Sequence, residues 1–370
     1  MADADQRWLV DQLEELVRFE SPSGEVAELD ALRDVLVTKL GAAGADVAVR
    51  RGAAGDHLVA GVPGRTGDAH VVVLGHYDTV WPVGRLADAP FDVTDGVATG
   101  PGVFDMKAGL VALLWVLHHL DERPERSVRI VLTADEEVGS PSGTEVVRAE
   151  CEGAAAVLAL EPPLAEGRLK VGRRGVSRVR LTVIGREAHA GLDRAAGVSA
   201  IDELVAQLSV IRTLLPELAS RSVNVGTVSG GSRANVVAGA AEAELGLRFT
   251  TADDEQAIRA VLDGLTPIHA GARIAVRTLS HRPAWEPTAS RVLADHVVAT
   301  ADAMGERIDT AVSGGGGDAN LPGSLGVPTV DGLGPRGRGA HAPDEAVEVA
   351  SLLPRARLLR ELLVRPLPSL

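Results

Sequence analysis

In Val71-Val72-Val73-Leu74-Gly75-His76-Tyr77-Asp78-Thr79, four unbroken apolar residues give way, after one glycine, to imidazole, phenol and carboxylate. A short apolar run bounded in this way suits a strand buried on both faces, as in a parallel sheet covered by helices. The same form recurs at Val128 to Ala134, Ala155 to Leu160 and Val327 to Leu333. Helical spacing appears from Asp5 to about Phe19, where Trp8, Leu9, Leu13, Leu16 and Val17 fall on one face, from Glu25 to about Gly41, and from Met106 to Leu120. Strands alternating with helices predict an α/β fold with a mostly parallel mixed sheet flanked by helices.

Between about Arg174 and Arg282 the pattern changes. Val176, Arg178, Arg180 and Thr182 alternate with Ser177, Val179, Leu181 and Val183, as on a strand with one wet face. A helical stretch from Val198 to Leu214, strand-like Ser222 to Val228 and Ala240 to Thr250, and a second helix from Asp253 to Leu265 follow. The order β-α-β-β-α-β is that of a ferredoxin-like α+β module. The expected organisation is therefore a discontinuous domain, 1–173 and 284–370, interrupted by an inserted domain, 174–283.

Composition narrows the function classes. A chain of 370 residues exceeds the size at which one hydrophobic core usually stops growing. With 37 basic and 51 acidic residues the formal charge is −14, which argues against nucleic acid and membrane surfaces as partners. A single cysteine, Cys151, forms no intramolecular disulfide and no Cys-rich zinc motif, which fits a reducing compartment. The first twenty residues are acidic and amphipathic, without a basic or apolar leader region, and no 18 apolar residues run together; the expected location is cytoplasmic.

Polar groups gather where the apolar runs end, which is where ligands bind in an open α/β sheet. His76 and Asp78 follow the first run, Asp135-Glu136-Glu137 the second, Glu161-Pro162 the third, and Gly339-Ala340-His341 closes a later Gly-rich loop. Gly100-Pro101-Gly102-Val103-Phe104-Asp105-Met106-Lys107 is a tight loop delivering Asp105 to a helix start. In a His-x-Asp pair one ring nitrogen can bind a metal while Asp78 accepts the other N–H and fixes the tautomer. Adjacent Glu136 and Glu137 diverge, so one can ligate metal while its neighbour faces substrate; the residues alone leave open which, and a solvated acidic turn is the plainer reading. Asp105 alone reads equally as a helix N-cap. Two histidines with several carboxylates form a donor set that Zn2+ accepts, and a carboxylate can bridge two ions.

Jointly, Gly75-His76-Tyr77-Asp78-Thr79-Val80, Gly100-Pro101-Gly102 through Asp105-Met106-Lys107-Ala108-Gly109, Asp135-Glu136-Glu137-Val138-Gly139-Ser140, Leu160-Glu161-Pro162 and Ala340-His341 resemble the zinc peptidase superfamily of glutamate carboxypeptidases (carboxypeptidase G type), aminoacylases, acetylornithine deacetylases and succinyl-diaminopimelate desuccinylases. The resemblance covers nearly the whole chain, in order, and is nearest to the glutamate carboxypeptidase group. It implies two Zn2+ ions, with Co2+ or Mn2+ as alternatives, held by His76, Glu161 and Asp105 on one side and by Asp105, Glu137 and His341 on the other. It also implies Glu136 as general base and acid, Asp78 behind His76, and a cis peptide at Asp105–Met106.

In the insert, Arg186-Glu187-Ala188-His189-Ala190-Gly191 matches a family segment whose histidine stabilises the oxyanion, often in the partner subunit's site. Asn235 and Arg248 match a polar pair that grips substrate, and a guanidinium suits a carboxylate because its donors are forked. The Ser313 to Asn320 segment lacks the Lys-Ser/Thr of a phosphate-binding loop. The resemblance assigns Gly316 there to the lining of the substrate pocket, against an inert flexible turn. Arg168 falls near a basic residue of a glutamate pocket, whereas the second expected basic position is Ala284, with Arg282 nearby. The implied function is zinc-dependent hydrolysis of an amide bond that releases a C-terminal amino acid, glutamate first, from an N-acyl amino acid or small peptide. The rivals are an N-acyl-amino-acid deacylase or dipeptidase of other specificity, and a non-catalytic binding relative; no ligand or base position is missing, which disfavours the last. A homodimer through a lid/dimerisation module is the implied assembly.

Overall fold

The computed structural model describes residues 2–216 and 220–369. The chain divides into two compact units: one of Met1–Gly172, Glu286–Ser313 and Gly317–Leu370, the other of Arg173–Trp285 with Gly314–Gly316.

The first unit is built on a six-stranded sheet in the order Asp46–Arg50, His57–Val62, Val128–Thr133, Val71–His76, Ala156–Ala159, Thr329–Val330. From Val128–Thr133 to Thr329–Val330 the neighbours are parallel, and the two strands at the other edge join antiparallel. Every residue of Val71–His76 is buried, as expected of a central strand covered on both faces. The helix Ala2–Val17 buries Leu9, Leu13, Leu16 and Val17, and Val26–Ala42 buries Leu29, Leu32, Leu36 and Leu40, each at helical spacing.

The helix expected from Met106 begins instead at Ala108, because Asp105 and Met106 hold non-helical dihedrals. From Ala108 to Leu117 it is buried all round. Gly109 lets it approach the end of Ala156–Ala159: a Cβ there would stand 2.4 Å from the Leu160 carbonyl oxygen. The run Val327 to Leu333 yields only the strand Thr329–Val330, since Pro328 has no N–H to give and Gly332 turns at a φ of +84°.

The second unit is a four-stranded antiparallel sheet in the order Arg221–Gly230, Ala240–Phe249, Gly175–Ile184, Arg273–Arg282, with helices Ala200–Leu214 and Ala252–Asp263. In chain order this is strand 4-1-3-2 read from the other edge, the ferredoxin-like arrangement. Val179, Leu181 and Val183 are buried with Leu245 and Leu247 against Leu204 and Ile211, so the alternation in the sequence marks the helix-covered face. Among the described residues no helix is long and apolar enough to cross a membrane.

Candidate metal centre

Three neighbouring parallel strands end side by side. His76, last residue of its strand, pairs with Thr133, and Leu74 pairs with Ala159. Glu136, Glu137 and Glu161 stand just beyond those ends, so register alone converges one imidazole and three carboxylates. The chain crosses from one side of Val71–His76 to the other between its second and third parallel strands, and such a reversal leaves a crevice at the carboxyl ends. Asp105 enters from the turn Val103–Lys107, whose Asp105–Met106 peptide is cis. Gly102 opens that turn at a φ of +71°, where a Cβ would also meet Thr79 Cγ2 at 2.6 Å.

The Asp105 carboxylate faces two histidines. Its Oδ1 is 3.2 Å from Nε2 of His76 and its Oδ2 is 3.5 Å from Nε2 of His341. Glu161 Oε1 lies 3.6 Å from the same His76 nitrogen, and Glu137 Oε2 lies 2.9 Å from the same His341 nitrogen. Donor atoms of His76, Glu136 and Glu161 all fall within 4.8 Å of one another, as do those of His76, Asp105 and Glu137. Tetrahedral bonds of about 2.1 Å separate neighbouring ligand atoms by about 3.4 Å. The observed spacings of 2.9 to 3.6 Å bracket that value, so the donor set fits a divalent metal in both chemistry and spacing.

Protonation follows from the surplus of carboxylates. Burial lowers the His76 pKa, but Asp105 and Asp78 more than reverse this and hold it well above the ordinary imidazole value. Asp105 and then Glu137 raise His341 to about 10. Burial raises Asp105, yet His341 and His76 outweigh it and keep the carboxyl well below its usual range. So many carboxylates around two imidazoles favour positive charge at this point, which a bound cation would supply.

Asp78 acts mainly on the main chain. His76 Nδ1 lies 3.0 Å from the Asp78 carbonyl oxygen and 3.3 Å from its Oδ1. The carboxylate also accepts the backbone N–H of Glu136 at 3.2 Å, that of Glu137 at 3.1 Å and the Ser23 hydroxyl at 2.6 Å. One buried side chain thus orients the imidazole and fixes the turn bearing both glutamates.

No sequence motif singles out Lys170. It is buried, with Nζ 3.6 Å from Glu161 and 3.6 Å from Asp331, and its only sequence signal is a lysine inside the short strand Leu169–Arg173. Arg168, the residue expected near a glutamate pocket, donates through Nε to the Ala165 carbonyl of its own turn at 3.2 Å.

In the second unit, exposed His189 accepts at Nδ1 the backbone N–H groups of Gly191 and Leu192, at 3.2 and 3.1 Å. Neutral His189 therefore carries its proton on Nε2, as an outward donor. Asn235 lies beside it, its carbonyl accepting the Ala190 N–H at 2.9 Å. Arg248 does not join them. It pairs with Val176 near the far end of Ala240–Phe249, about 26 Å along the strand from Ala240 at 3.3 Å per residue. Gly316 sits at Arg248's end: a Cβ there would press on Val176 and Arg282 at 3.0 and 3.2 Å.

The sequence pattern described as peptidase family M20/M25/M40 matches residues 72–365. Carboxypeptidase G2 of Pseudomonas sp. (strain RS-16) is 28% identical over 98% of this chain and 91% of its own length. Succinyl-diaminopimelate desuccinylase of Psychrobacter sp. (strain PRwf-1) is 30% identical over 80% of each chain. The Bacillus subtilis YxeP protein, described as a dinuclear metal binding peptidase, superposes with a TM-score of 0.69 at 16% identity over 100% of both chains, a likeness of fold.

Proposed function

The chain belongs to peptidase family M20/M25/M40 and is a metallo-exopeptidase or amidohydrolase with a metal cofactor; from that premise we propose that it hydrolyses the amide bond of an N-acyl amino acid or small peptide and releases the C-terminal amino acid, glutamate first. The carrying observation is the Asp105 carboxylate, whose two oxygens face different histidines.

In this reading His76, Asp105 and Glu161 hold one ion and Asp105, Glu137 and His341 the other. Zinc suits the mixed imidazole and carboxylate set, with cobalt or manganese as alternatives. Such ions, when bound, acidify water and polarise an amide carbonyl. Glu136 takes the proton of the attacking water and delivers it to the leaving amine. Asp78 aims it by fixing its backbone N–H. His189, with its proton on Nε2, donates to the developing oxyanion. Asn235 and Arg248 hold the substrate, Arg248 by its carboxylate, and the Gly316 loop lines the pocket. Arg248 lies about 26 Å along its strand from the Ala240 end, at 3.3 Å per residue, and this separation supports a homodimer through the module, in which two modules contribute to one site. A cytoplasmic location fits a chain with a single cysteine.

A second reading keeps every catalytic residue and changes the side-chain preference to that of an N-acyl-amino-acid deacylase or dipeptidase. It is favoured by the engagement of Arg168 in its own turn and by Ala284 at the other expected basic position. The test is a panel of N-acyl amino acids and dipeptides with the zinc-loaded chain. The glutamate reading expects the highest kcat/KM for N-acyl-glutamate; far faster turnover of N-acyl-alanine or an N-acyl basic amino acid overturns it and selects the second. No amide hydrolysis across the panel counts against both.

A further inference from the structure

One buried carboxylate near the centre belongs to none of the motifs. Glu345 is 4% exposed and lies four residues after His341. Its Oε1 accepts the backbone N–H of Phe104 at 2.8 Å and of Asp105 at 2.9 Å. Its Oε2 accepts the backbone N–H of Gly102 at 3.0 Å and the indole N–H of Trp81 at 2.6 Å. This side chain therefore ties together three segments: the one leaving His76, the turn carrying Asp105, and the loop carrying His341. Four donors on two oxygens match what an ionised carboxylate can accept.

The loop that bears His341 needs such an anchor. His341 sits at a φ of +64°, a left-handed conformation that a residue with a Cβ rarely adopts and that persists only where its surroundings over-determine it. Two bonds close the turn, from the Ala342 N–H to the Gly339 carbonyl at 2.8 Å and from the Glu345 N–H to the Ala342 carbonyl at 3.0 Å. Beyond them the Glu345 carboxylate fastens the loop to the backbone of Asp105 itself. The pairing of Ala346 with Thr99 already joins the chain after His341 to the chain before Asp105, and the Glu345 carboxylate adds a direct tie between these segments, whose facing ligand atoms stand 3.5 Å apart.

We propose that Glu345 is a positioning residue that sets the separation of Asp105 and His341, and through it the affinity of the metal ion those two share with Glu137. This rests on the reading of those residues as metal ligands. Ligand atoms fixed beforehand bind more tightly because less ordering is left to do on binding. Glu161, on the other side of the centre, is instead held near Lys170, so its ion depends less on Glu345.

The experiment measures metal stoichiometry and affinity on the full chain by competition with a chromophoric chelator, using Zn2+ and Co2+, with thermal unfolding in parallel. Glu345→Gln puts an NH2 group opposite two N–H donors and opens half of the clamp. The expected result is one ion weakened about 10–100-fold and the other retained. Trp81→Phe removes a single donor and is expected to weaken the same ion by less. Glu203→Gln, which breaks a similarly bonded buried carboxylate in the second unit, is expected to lower thermal stability and leave both affinities unchanged. A folded Glu345→Gln protein with wild-type affinities, or with both ions weakened equally, overturns the proposal. Should that variant fail to fold, Trp81→Phe decides: selective weakening supports it and wild-type affinities refute it. A wild-type chain that binds fewer than two ions overturns the metal-centre reading and this proposal together, and is recognised before any variant is compared.

Discussion

Asp78 Oδ1 accepts the backbone N–H of Glu136 at 3.2 Å, so the proposed base is aimed through its main chain by a residue that also lies against the His76 ring. Asp78→Asn keeps the shape but turns one acceptor into a donor opposite an N–H or the Ser23 hydroxyl. Partners behind metal ligands typically contribute 10–100-fold to activity or metal affinity. We expect kcat to fall by about 10–100-fold with KM little changed, measured on protein of verified metal content. Turnover within twofold of wild type would remove Asp78 from this role.

Glu136→Ala separates base from ligand. If Glu137 is the ligand and Glu136 the proton carrier, the variant keeps two zinc ions by elemental analysis yet loses turnover by at least about 10²–10⁴-fold, the usual share of a general base. Loss of an ion along with activity would instead make Glu136 a ligand, a role its proximity to His76 and Glu161 allows. Unchanged activity refutes the base assignment.

Whether His189 serves its own or its partner's site is decided by mixing inactive chains. Glu136→Ala and His189→Ala subunits are each expected to be nearly inactive. Random pairing makes half of the dimers mixed, and in each of these one site combines an intact base with the partner's intact histidine, so about a quarter of wild-type activity should return. No recovery from a verified mixed dimer places His189 in its own chain's site.

The parts of this molecule legible in the sequence are those whose signal is local. Val71–His76 announces itself because a strand covered on both faces needs consecutive apolar residues, and His76, Glu137 and Glu161 stand out because each follows such a run. The hairpin of Asp46–Arg50 and His57–Val62 leaves little signal in the sequence, because its outer strand is half exposed and carries no continuous apolar run. Glu345 and Lys170 were invisible for another reason. Glu345 meets Gly102 across 243 residues and takes main-chain N–H groups, which leave no side-chain pattern to read. Lys170 lies on the short strand Leu169–Arg173, with no motif around it to mark the side chain that stands 3.6 Å from Glu161.

Glu203 gives the second unit an acid-sensitive joint. Its buried carboxylate accepts the Gln207 side-chain N–H at 2.7 Å, the backbone N–H of Ile268 at 2.9 Å and of His269 at 2.8 Å, and the His269 ring at 2.6 Å. Burial opposes ionisation, and these donors more than reverse it, drawing the carboxyl down to about 2. In the unfolded chain a glutamate titrates near 4.3. Between the two values the native state binds fewer protons than the unfolded one, so the stability Glu203 contributes is full above about pH 4.3 and is lost as the pH falls toward about 2. Glu203→Gln should therefore cost about 1.5–3 kcal/mol at pH 7, the usual loss for hydrogen bonds to a charged group. That gap should narrow steadily below about pH 4.3. Thermal unfolding of both proteins from pH 7 to pH 3 measures it; a gap that stays constant across the range would mean that the carboxylate is not what holds the His269 turn to the helix Ala200–Leu214.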